Sequence, residues 1–399
     1  MRIGHYAPRP AEQGGIGTYI RRTGRAQSRR GHEVVYLGRE LPSGATLPGE
    51  GVTVPESGDL FCEAETLQLD VLHLHKGVPE IPIAHVPTVR AMHGHQGGCP
   101  SGSRYLARTG EPCDRDFTWG GCLWGHLVDR CGSARPGNLL SNFSRIQREI
   151  RQAQQIPTYT VSGFLSHRMV RAGCPADALT TIPSPAPKVS REIDPVPRGD
   201  VPRFLYLGRL VPQKGPGWLL RALAETDVPA HVDIAGDGPR RSDLEHLARD
   251  LGIGSDVTFH GWVDRDRVPL LMDRSRAVVF PSRWHEPAGL ITLEAAAHGR
   301  ALIASRVGGI PEYADEAHSF LVEPGDTQAL AEALSHLATD ADRADRMGER
   351  GRAVAQSDFA VPPFLDRLDA LYNRAVADQD TPDDHTPTSR EMNAKRDEC

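Results

Sequence analysis

The stretch PSRWHEPAGLITLEAAAHGRALIAS, residues 281–305, decides the fold. It follows the apolar run AVVF at 277–280, crosses a turn built on Pro287 and Gly289, enters a segment of helical period and ends in a second apolar run, ALIAS at 301–305. Strand, turn, helix and strand at this spacing form the repeating unit of a parallel α/β sheet. Two carboxylates lie on it: Glu286 in the turn and Glu294 about a turn and a half inside the helix. The backbone N–H groups of Ala288, Gly289 and Leu290 stand at the helix N-terminus, unpaired within the helix and at the positive end of its dipole, which suits an anion. A carboxylate on the entry turn accepts hydrogen bonds from sugar hydroxyls, and one deeper along the helix accepts from the two hydroxyls of a ribose. The spacing therefore measures a nucleotide sugar; the alternative is a pair of glutamates on a surface helix.

Working outward, the same pattern precedes this stretch. RFLYLG at 203–208 reads as a strand, followed by a glycine-bearing loop, a helix at 217–226, strand HVDIAG, a helix at 243–251, strand VTFHG and a helix at 265–274. A last helix begins at Thr327. In the first half, a strand at Arg2–Tyr6, a loop holding Gly14, Gly15 and Gly17, a helix through Arg30 and a strand at Glu33–Leu37 form a βαβ unit. Apolar runs at 71–75, 88–92, 158–162 and 179–183 alternate with helical stretches such as 142–155. The fold class is α/β, with two Rossmann-like doubly wound domains facing across a cleft. Six prolines between Pro183 and Pro202 exclude a helix or a central strand and set the linker at 184–202. The first domain is then 1–183 and the second 203–360, while the polar segment 377–399 predicts a disordered tail. Ligands of such folds bind in the cleft at the carboxyl ends of the strands.

The second chemical cluster is LGRLVPQKGPGWLLRAL, residues 207–223, where Arg209 and Lys214 flank the loop leaving the first strand of the second domain. A departing nucleoside diphosphate develops negative charge, and two fixed cations stabilise it without a metal ion. Lysine is scarce here, at only Lys76, Lys188, Lys214 and Lys395, so its presence in this loop is informative. The third cluster is Gly14-Gly15-Ile16-Gly17, which lets backbone approach a phosphate at a helix N-terminus. The glycine turns AGDGP at 235–239 and VGGIPE at 307–312 fit turn geometry at least as well as ligand contact.

Together these clusters resemble the retaining nucleotide-sugar glycosyltransferases of GT-B fold, sequence family 4, over nearly the whole chain. The most specific element is E-x7-E from Glu286 to Glu294, supported by Gly208-Arg209, Lys214-Gly215, AGDGP and Gly14-Gly15. The resemblance implies that Glu286 contacts the transferred sugar, Glu294 the ribose, and Arg209 with Lys214 the diphosphate. It also implies a UDP- or GDP-sugar donor, retention of anomeric configuration, no required cofactor or divalent metal, and a last helix at 362–376 crossing back onto the first domain. A histidine after a first-domain strand approaches the donor sugar in that family; TVRAMHGHQGG supplies His93, chosen over His95, His73 and His75, with a glycine after it where an acidic residue is common. A structural hydrogen-bonding histidine is the competing reading.

Cys99, Cys113, Cys122 and Cys131, with His126, fall in a Gly- and Trp-rich insertion at 94–135. Four thiolates suffice for a zinc site, yet no C-x2-C pair is present, so the reading is no metal, with buried or redox-active thiols preferred and a lid on the acceptor side expected. Arg21, Arg22, Arg25, Arg29 and Arg30 on the first helix form a face that either docks on an anionic membrane or is simply solvated. No apolar run is long enough to span a bilayer and the N-terminus lacks the apolar stretch of a secretion signal, so a cytoplasmic protein is expected, peripheral at most.

Charge argues against nucleic acid as partner: residues 1–200 hold 23 Lys and Arg against 19 Asp and Glu, the remainder 23 against 33. The expected partners are the nucleotide sugar and a saccharide, lipid-linked or small-molecule acceptor. A dinucleotide oxidoreductase requires G-x-G-x-x-G and an acidic residue ending the second strand; GGIGTY and Leu37-Gly38-Arg39 supply neither. A nucleotide-sugar epimerase, a phosphorylase and a non-catalytic sugar- or metal-binding scaffold remain as alternatives.

Overall fold

The computed structural model describes residues 1–10, 14–41, 47–54, 59–79, 86–199 and 201–380. The first sheet comprises β1 (Arg2–Tyr6), β2 (Glu33–Gly38), β3 (Glu50–Thr53), β4 (Val71–Leu74) and β5 (Thr88–Met92), then β8 (Thr158–Thr160) and β9 (Leu179–Thr181). Between β5 and β8 a small antiparallel pair, β6 (Tyr105–Leu106) and β7 (Glu111–Pro112), stands apart. The seven strands run parallel in the order β3-β2-β1-β4-β5-β8-β9. Their helices are α1 (Gly15–Arg30), α2 (Leu60–Thr66), α3 (Trp119–Leu127), α4 (Pro136–Gln155) and α5 (Gly163–Arg171).

The second sheet is β10 (Arg203–Leu207), β11 (His231–Ala235), β12 (Val257–Gly261), β13 (Ala277–Phe280), β14 (Ala301–Ser305) and β15 (Ser319–Val322). It is also parallel, in the order β12-β11-β10-β13-β14-β15. Its helices are α6 (Pro216–Ala224), α7 (Arg241–Asp250), α8 (Val268–Asp273), α9 (Leu290–Ala297), α10 (Ile310–Tyr313), α11 (Thr327–Thr339) and α12 (Ala341–Ser357). The closing helix α13 (Val361–Asp380) leaves this sheet and returns to the first. Its Phe364, Leu368, Leu371 and Tyr372 pack in one core with Ile3 of β1, Val71 of β4, Val89 of β5 and Tyr159 of β8.

The strands form because helices cover both faces of each sheet, so near-continuous apolar runs such as EVVYLG and RFLYL bury almost completely. Helix starts follow local chemistry: Asp326 accepts from Ala329 N at 2.9 Å at the start of α11, and Asp340 from Arg343 N at 2.7 Å at the start of α12. Residues 184–199 run without helix or strand, and Ala186 N donates to Phe359 O at 2.8 Å, pinning that segment against the end of α12.

Several expectations shift. Gly15 and Gly17 belong to the first turn of α1 rather than to a loop, with Gly14 as its cap. Helix α4 begins at Pro136, not at 142, because proline is tolerated at a first helical position. Helix α13 spans 361–380 rather than 362–376, so residues 377–380 are helical and not part of a disordered tail; residues 381–399 lie outside the described residues. Strands β3 and β15 and helices α2, α5 and α10 were not anticipated. Among the described residues no helix is long and apolar enough to cross a membrane.

Candidate functional site

The site is built from the turn between β13 and α9. Glu286 is buried there, and its Oε1 accepts from Lys214 Nζ at 2.6 Å, Ser282 Oγ at 2.6 Å and Trp284 Nε1 at 2.7 Å. The turn is seated on Gly308, whose φ is +59° and where a Cβ would meet Glu286 O at 2.3 Å and Glu286 N at 2.6 Å. Only glycine fits both that backbone conformation and that approach. Gly309 N then donates to Glu286 O at 2.7 Å. VGGIPE is therefore the floor under the glutamate turn.

Lys214 arrives on the loop between β10 and α6. Gly215, with φ +68°, has its α-carbon against Pro281 O, where a Cβ would come within 1.8 Å. Arg283 N donates to Gln213 O at 2.8 Å, which locks the two loops side by side. The ammonium also stands 5.2 Å from the Trp284 ring centroid and 5.5 Å from that of Phe280. Cation and carboxylate are thus held together on two loops at the carboxyl ends of adjacent strands. Arg209 is exposed on the same β10 loop, with its carbonyl accepting from Tyr206 Oη at 3.0 Å.

Glu294 lies on α9, half-buried, with Arg22 Nη2 of α1 at 3.4 Å from its Oε1; Arg22 Nη1 also donates to Pro185 O at 3.2 Å. The two glycine-capped helices meet at their starts. Gly14 caps α1 and Gly289 caps α9, neither supplies a side-chain acceptor, and a Cβ on Gly15 would lie 3.7 Å from Leu290 Cδ1. Two helix N-termini thus come together with first-turn N–H groups and glycine caps, an arrangement whose partial positive charge suits an anion. Ala288 lies buried in the turn and Leu290 opens α9. A cleft of about 840 Å³ is lined by Arg22, Arg25, Arg29, Arg30, Lys188 and Arg265, so it is strongly positive.

His93 sits on the first-sheet side, at the outer end of a buried chain of polar rings. Its Nε2 pairs with His75 Nδ1 at 2.9 Å, His75 Nε2 with His5 Nδ1 at 2.8 Å, and His5 Nε2 with Gln27 Oε1 at 2.7 Å. Gln27 donates to Tyr372 Oη at 2.9 Å, and Tyr372 meets His73 Nδ1 at 2.8 Å. Burial, with Lys76 nearby, pushes His93 down to about 3, and burial pushes His5 down to about 4. The imidazole of His93 is therefore neutral, able to share a hydrogen bond but not to act as a cationic acid at neutral pH.

The structure brings Glu286 and Lys214 into direct contact and sets Gly14, Gly15, Gly289 and Leu290 around one corner. His93, held by His75 and Tyr19, and Arg209, exposed on the β10 loop, have no described contact with either glutamate. His95, passed over in favour of His93, is the histidine that reaches the turn: its Nε2 donates to His285 O at 2.6 Å and its ring meets Trp284 edge-on. Ser282, Trp284 and Arg22 were also missed. Ser282 and Trp284 lie within four residues of Glu286, and Arg22 had been read only as one of a basic face. Of that face, Arg22 turns inward and Arg30 pairs with Asp366 and Asp369 of α13 at 2.8 Å.

Further contacts hold the two sheets in register. Glu312 accepts from Gly163 N at 2.7 Å and Phe164 N at 2.6 Å, capping α5 from the opposite domain; Ser162 Oγ donates to Pro287 O, and Tyr313 Oη to Val161 O. The glutamate turn is thereby fastened to the first sheet. For a metal, the buried trio His5, His73 and His75 has ligand atoms within 4.8 Å of one another. All six of its ring nitrogens already have hydrogen-bond partners, so the trio is a polar network and not an open ligand set.

Residues 191–354 match the family described as Glycosyl transferases group 1. The GDP-mannose-dependent alpha-(1-6)-phosphatidylinositol monomannoside mannosyltransferase of Mycobacterium tuberculosis is 32% identical over 228 residues, 52% of this chain and 58% of the relative. The chain spans about half the length of the curated relatives it matches. Among solved structures, sucrose-phosphate synthase from Thermosynechococcus elongatus superposes with a TM-score of 0.72 at 21% identity, covering 94% of this chain and 99% of the other. Anabaena Alr3699/HepE in complex with UDP-glucose gives 0.71 at 18% identity, covering 94% and 100%. The fold is of GT-B type, two Rossmann-like domains across a cleft.

Proposed function

We propose that this chain is a retaining glycosyltransferase of sequence family 4 that moves a sugar from a nucleoside diphosphate sugar to an acceptor hydroxyl. The observation that carries the reading is the pairing of Glu286 with Lys214 on adjacent loops, eight residues before Glu294 and beside the meeting point of two glycine-capped helix N-termini. The family match over 191–354 covers Arg209, Lys214, Glu286 and Glu294 and supports it.

In this reading the diphosphate lies on the N–H groups at the starts of α1 and α9, with Lys214 and Arg209 taking up the charge that develops as it leaves. Glu294 accepts from the ribose hydroxyls, exchanging its contact with Arg22 for them. Glu286 accepts from hydroxyls of the transferred sugar, while Lys214, Ser282 and Trp284 hold the carboxylate still. His93, neutral, shares a hydrogen bond with the sugar from the first-sheet side. The anomeric carbon's bond to the diphosphate oxygen breaks and its bond to the acceptor oxygen forms on the same face; the acceptor proton passes to the departing diphosphate. The cations do what a divalent ion does elsewhere, so no metal or further cofactor is required. GDP- and UDP-sugars are the donors to try first, since a relative is named GDP-mannose-dependent and a structural neighbour holds UDP-glucose. The acceptor is a saccharide, a lipid-linked glycan or a small molecule, met in the cytoplasm or at the cytoplasmic face of the membrane.

The test is release of nucleoside diphosphate from a panel of GDP-, UDP- and ADP-sugars, with and without pooled acceptors and with chelator present throughout, followed by determination of the product's anomeric configuration. Acceptor-dependent release with retained configuration supports the reading. Turnover that requires inorganic phosphate, or that interconverts the donor without an acceptor, replaces it with a phosphorylase or an epimerase.

A further inference from the structure

The insertion between β5 and α4 carries chemistry the donor site does not use. Cys99 follows the turn after β5, Cys113 follows β7, Cys122 lies in α3 and Cys131 follows that helix, yet all four line one small cavity of about 20 Å³, shared with His126 and Arg104. That volume holds roughly one water-sized body. All four are free thiols.

The surroundings are those of a cation site lined by soft donors. Ser101 Oγ lies 3.3 Å from Cys99 Sγ, and Ser103 Oγ donates to Cys131 O at 2.7 Å, so short polar residues position the thiols from outside. His126, 2% exposed, pairs Nδ1 with Cys122 O at 2.8 Å, and its Nε2 is buried with no hydrogen-bond partner. Arg104, 3% exposed, donates Nη1 to Arg115 O at 2.8 Å, while its Nε and Nη2 are buried without a partner. A buried guanidinium with unused donors beside four sulfurs is costly next to neutral thiols and well matched to a negatively charged thiolate shell.

The four sulfurs share one cavity, so their thiolate forms crowd like charges there unless a divalent cation lies among them. No cysteine trio among the described residues is as tight as the histidine trio, whose ligand atoms lie within 4.8 Å of one another.

We infer that Cys99, Cys113, Cys122 and Cys131 bind one structural zinc ion, whose shell is closed and takes no part in the transfer reaction. Zinc is the divalent ion that four thiolates in a closed tetrahedron select. On binding, each S–H proton is released to solvent as its Zn–S bond forms. The ion ties β6, β7 and α3 into a single unit. That unit reaches the glutamate turn: Asp114, next to Cys113, lies 2.9 Å from His285 Nε2 and 2.9 Å from Arg168 Nη2. The zinc would thus brace the segment that packs against the residue preceding Glu286.

The full chain, purified without a metal-binding tag and equilibrated with buffered zinc, should carry one zinc per chain by elemental analysis. Replacement by cobalt should give the sulfur-to-cobalt charge-transfer band and the intense visible bands of a tetrahedral thiolate complex. Each of Cys99→Ser, Cys113→Ser, Cys122→Ser and Cys131→Ser should lose most of the metal, while Cys174→Ser and His75→Gln should retain it. Where a variant does not fold, the cobalt spectrum of the unaltered chain decides. A chain that takes up no stoichiometric zinc, a cobalt complex without thiolate bands, or zinc lost only on changing His75 would overturn the assignment.

Discussion

Arg22 Nη2 of α1 lies 3.4 Å from Glu294 Oε1 of α9, joining a helix of the first sheet to a helix of the second. In the donor reading that carboxylate belongs to the ribose, so the arginine and the nucleoside compete for it. Both side chains are partly exposed, which limits the pair to about 0.3–1 kcal/mol. Arg22→Gln is therefore expected to tighten nucleoside diphosphate binding by about 2–5-fold in calorimetric titration. Weaker binding would mean that Arg22 contacts the donor itself.

Glu286→Gln keeps the shape of the turn and removes the charge that Lys214 faces. The expected result is a fall in kcat of about 10²–10³ with nucleotide affinity changed less than about threefold, because the change acts on the transferred sugar and its Lys214 partner and not on the nucleoside. Equal losses in both would place Glu286 in simple ground-state binding.

Gly308→Ala puts a methyl group onto the backbone of Glu286 at a residue with φ +59°. The strain and the clash together are expected to cost about 1–3 kcal/mol of stability. Donor binding should weaken even at temperatures where the variant remains folded, checked by thermal unfolding with and without nucleotide. An unchanged unfolding curve would mean that the turn has room to move.

How much of this was legible beforehand depended on whether a feature is local. Fully buried parallel strands declare themselves as apolar runs, and so β1, β10 and β14 fall within a residue of their expected limits. Strand β3, EGVT, is an edge strand with exposed residues and carries no such run. Glu286 and Glu294 were legible because their spacing is a property of one turn and one helix. The contacts that fix Glu286 were not, since they depend on which way Lys214, 72 residues away, and Trp284 point. The same holds for the ring of His5, His73 and Tyr372, where a helix from the end of the chain supplies the hydroxyl to a strand 299 residues earlier.

The buried histidines give the fold a pH dependence of known sign. His5 is pushed down to about 4 and His93 and His95 to about 3 from the ordinary 6.5, in each case chiefly by burial. A histidine held neutral in the fold binds its proton more readily when unfolded, so stability is fully present above about pH 7 and is lost as pH falls through 6.5 toward 4. Each contributes up to about 1.4 kcal/mol per pH unit in that window. Tm should be flat from pH 7 to 8 and fall steeply below 6.5, with a shallower slope in His93→Gln. A Tm that rises on acidification would contradict the neutral network.

The most direct test of the donor site is thermal stabilisation of the purified chain by GDP-, UDP- and ADP-sugars, with NAD and NADP beside them, repeated with Glu294→Ala and Lys214→Ala. One sugar nucleotide is expected to stabilise the unaltered chain by about 2.7 kcal/mol at a hundredfold excess over Kd, seen as a rise in Tm, and either substitution is expected to abolish the shift. Stabilisation by a dinucleotide instead, or a sugar-nucleotide shift that survives both substitutions, would contradict the donor-site reading.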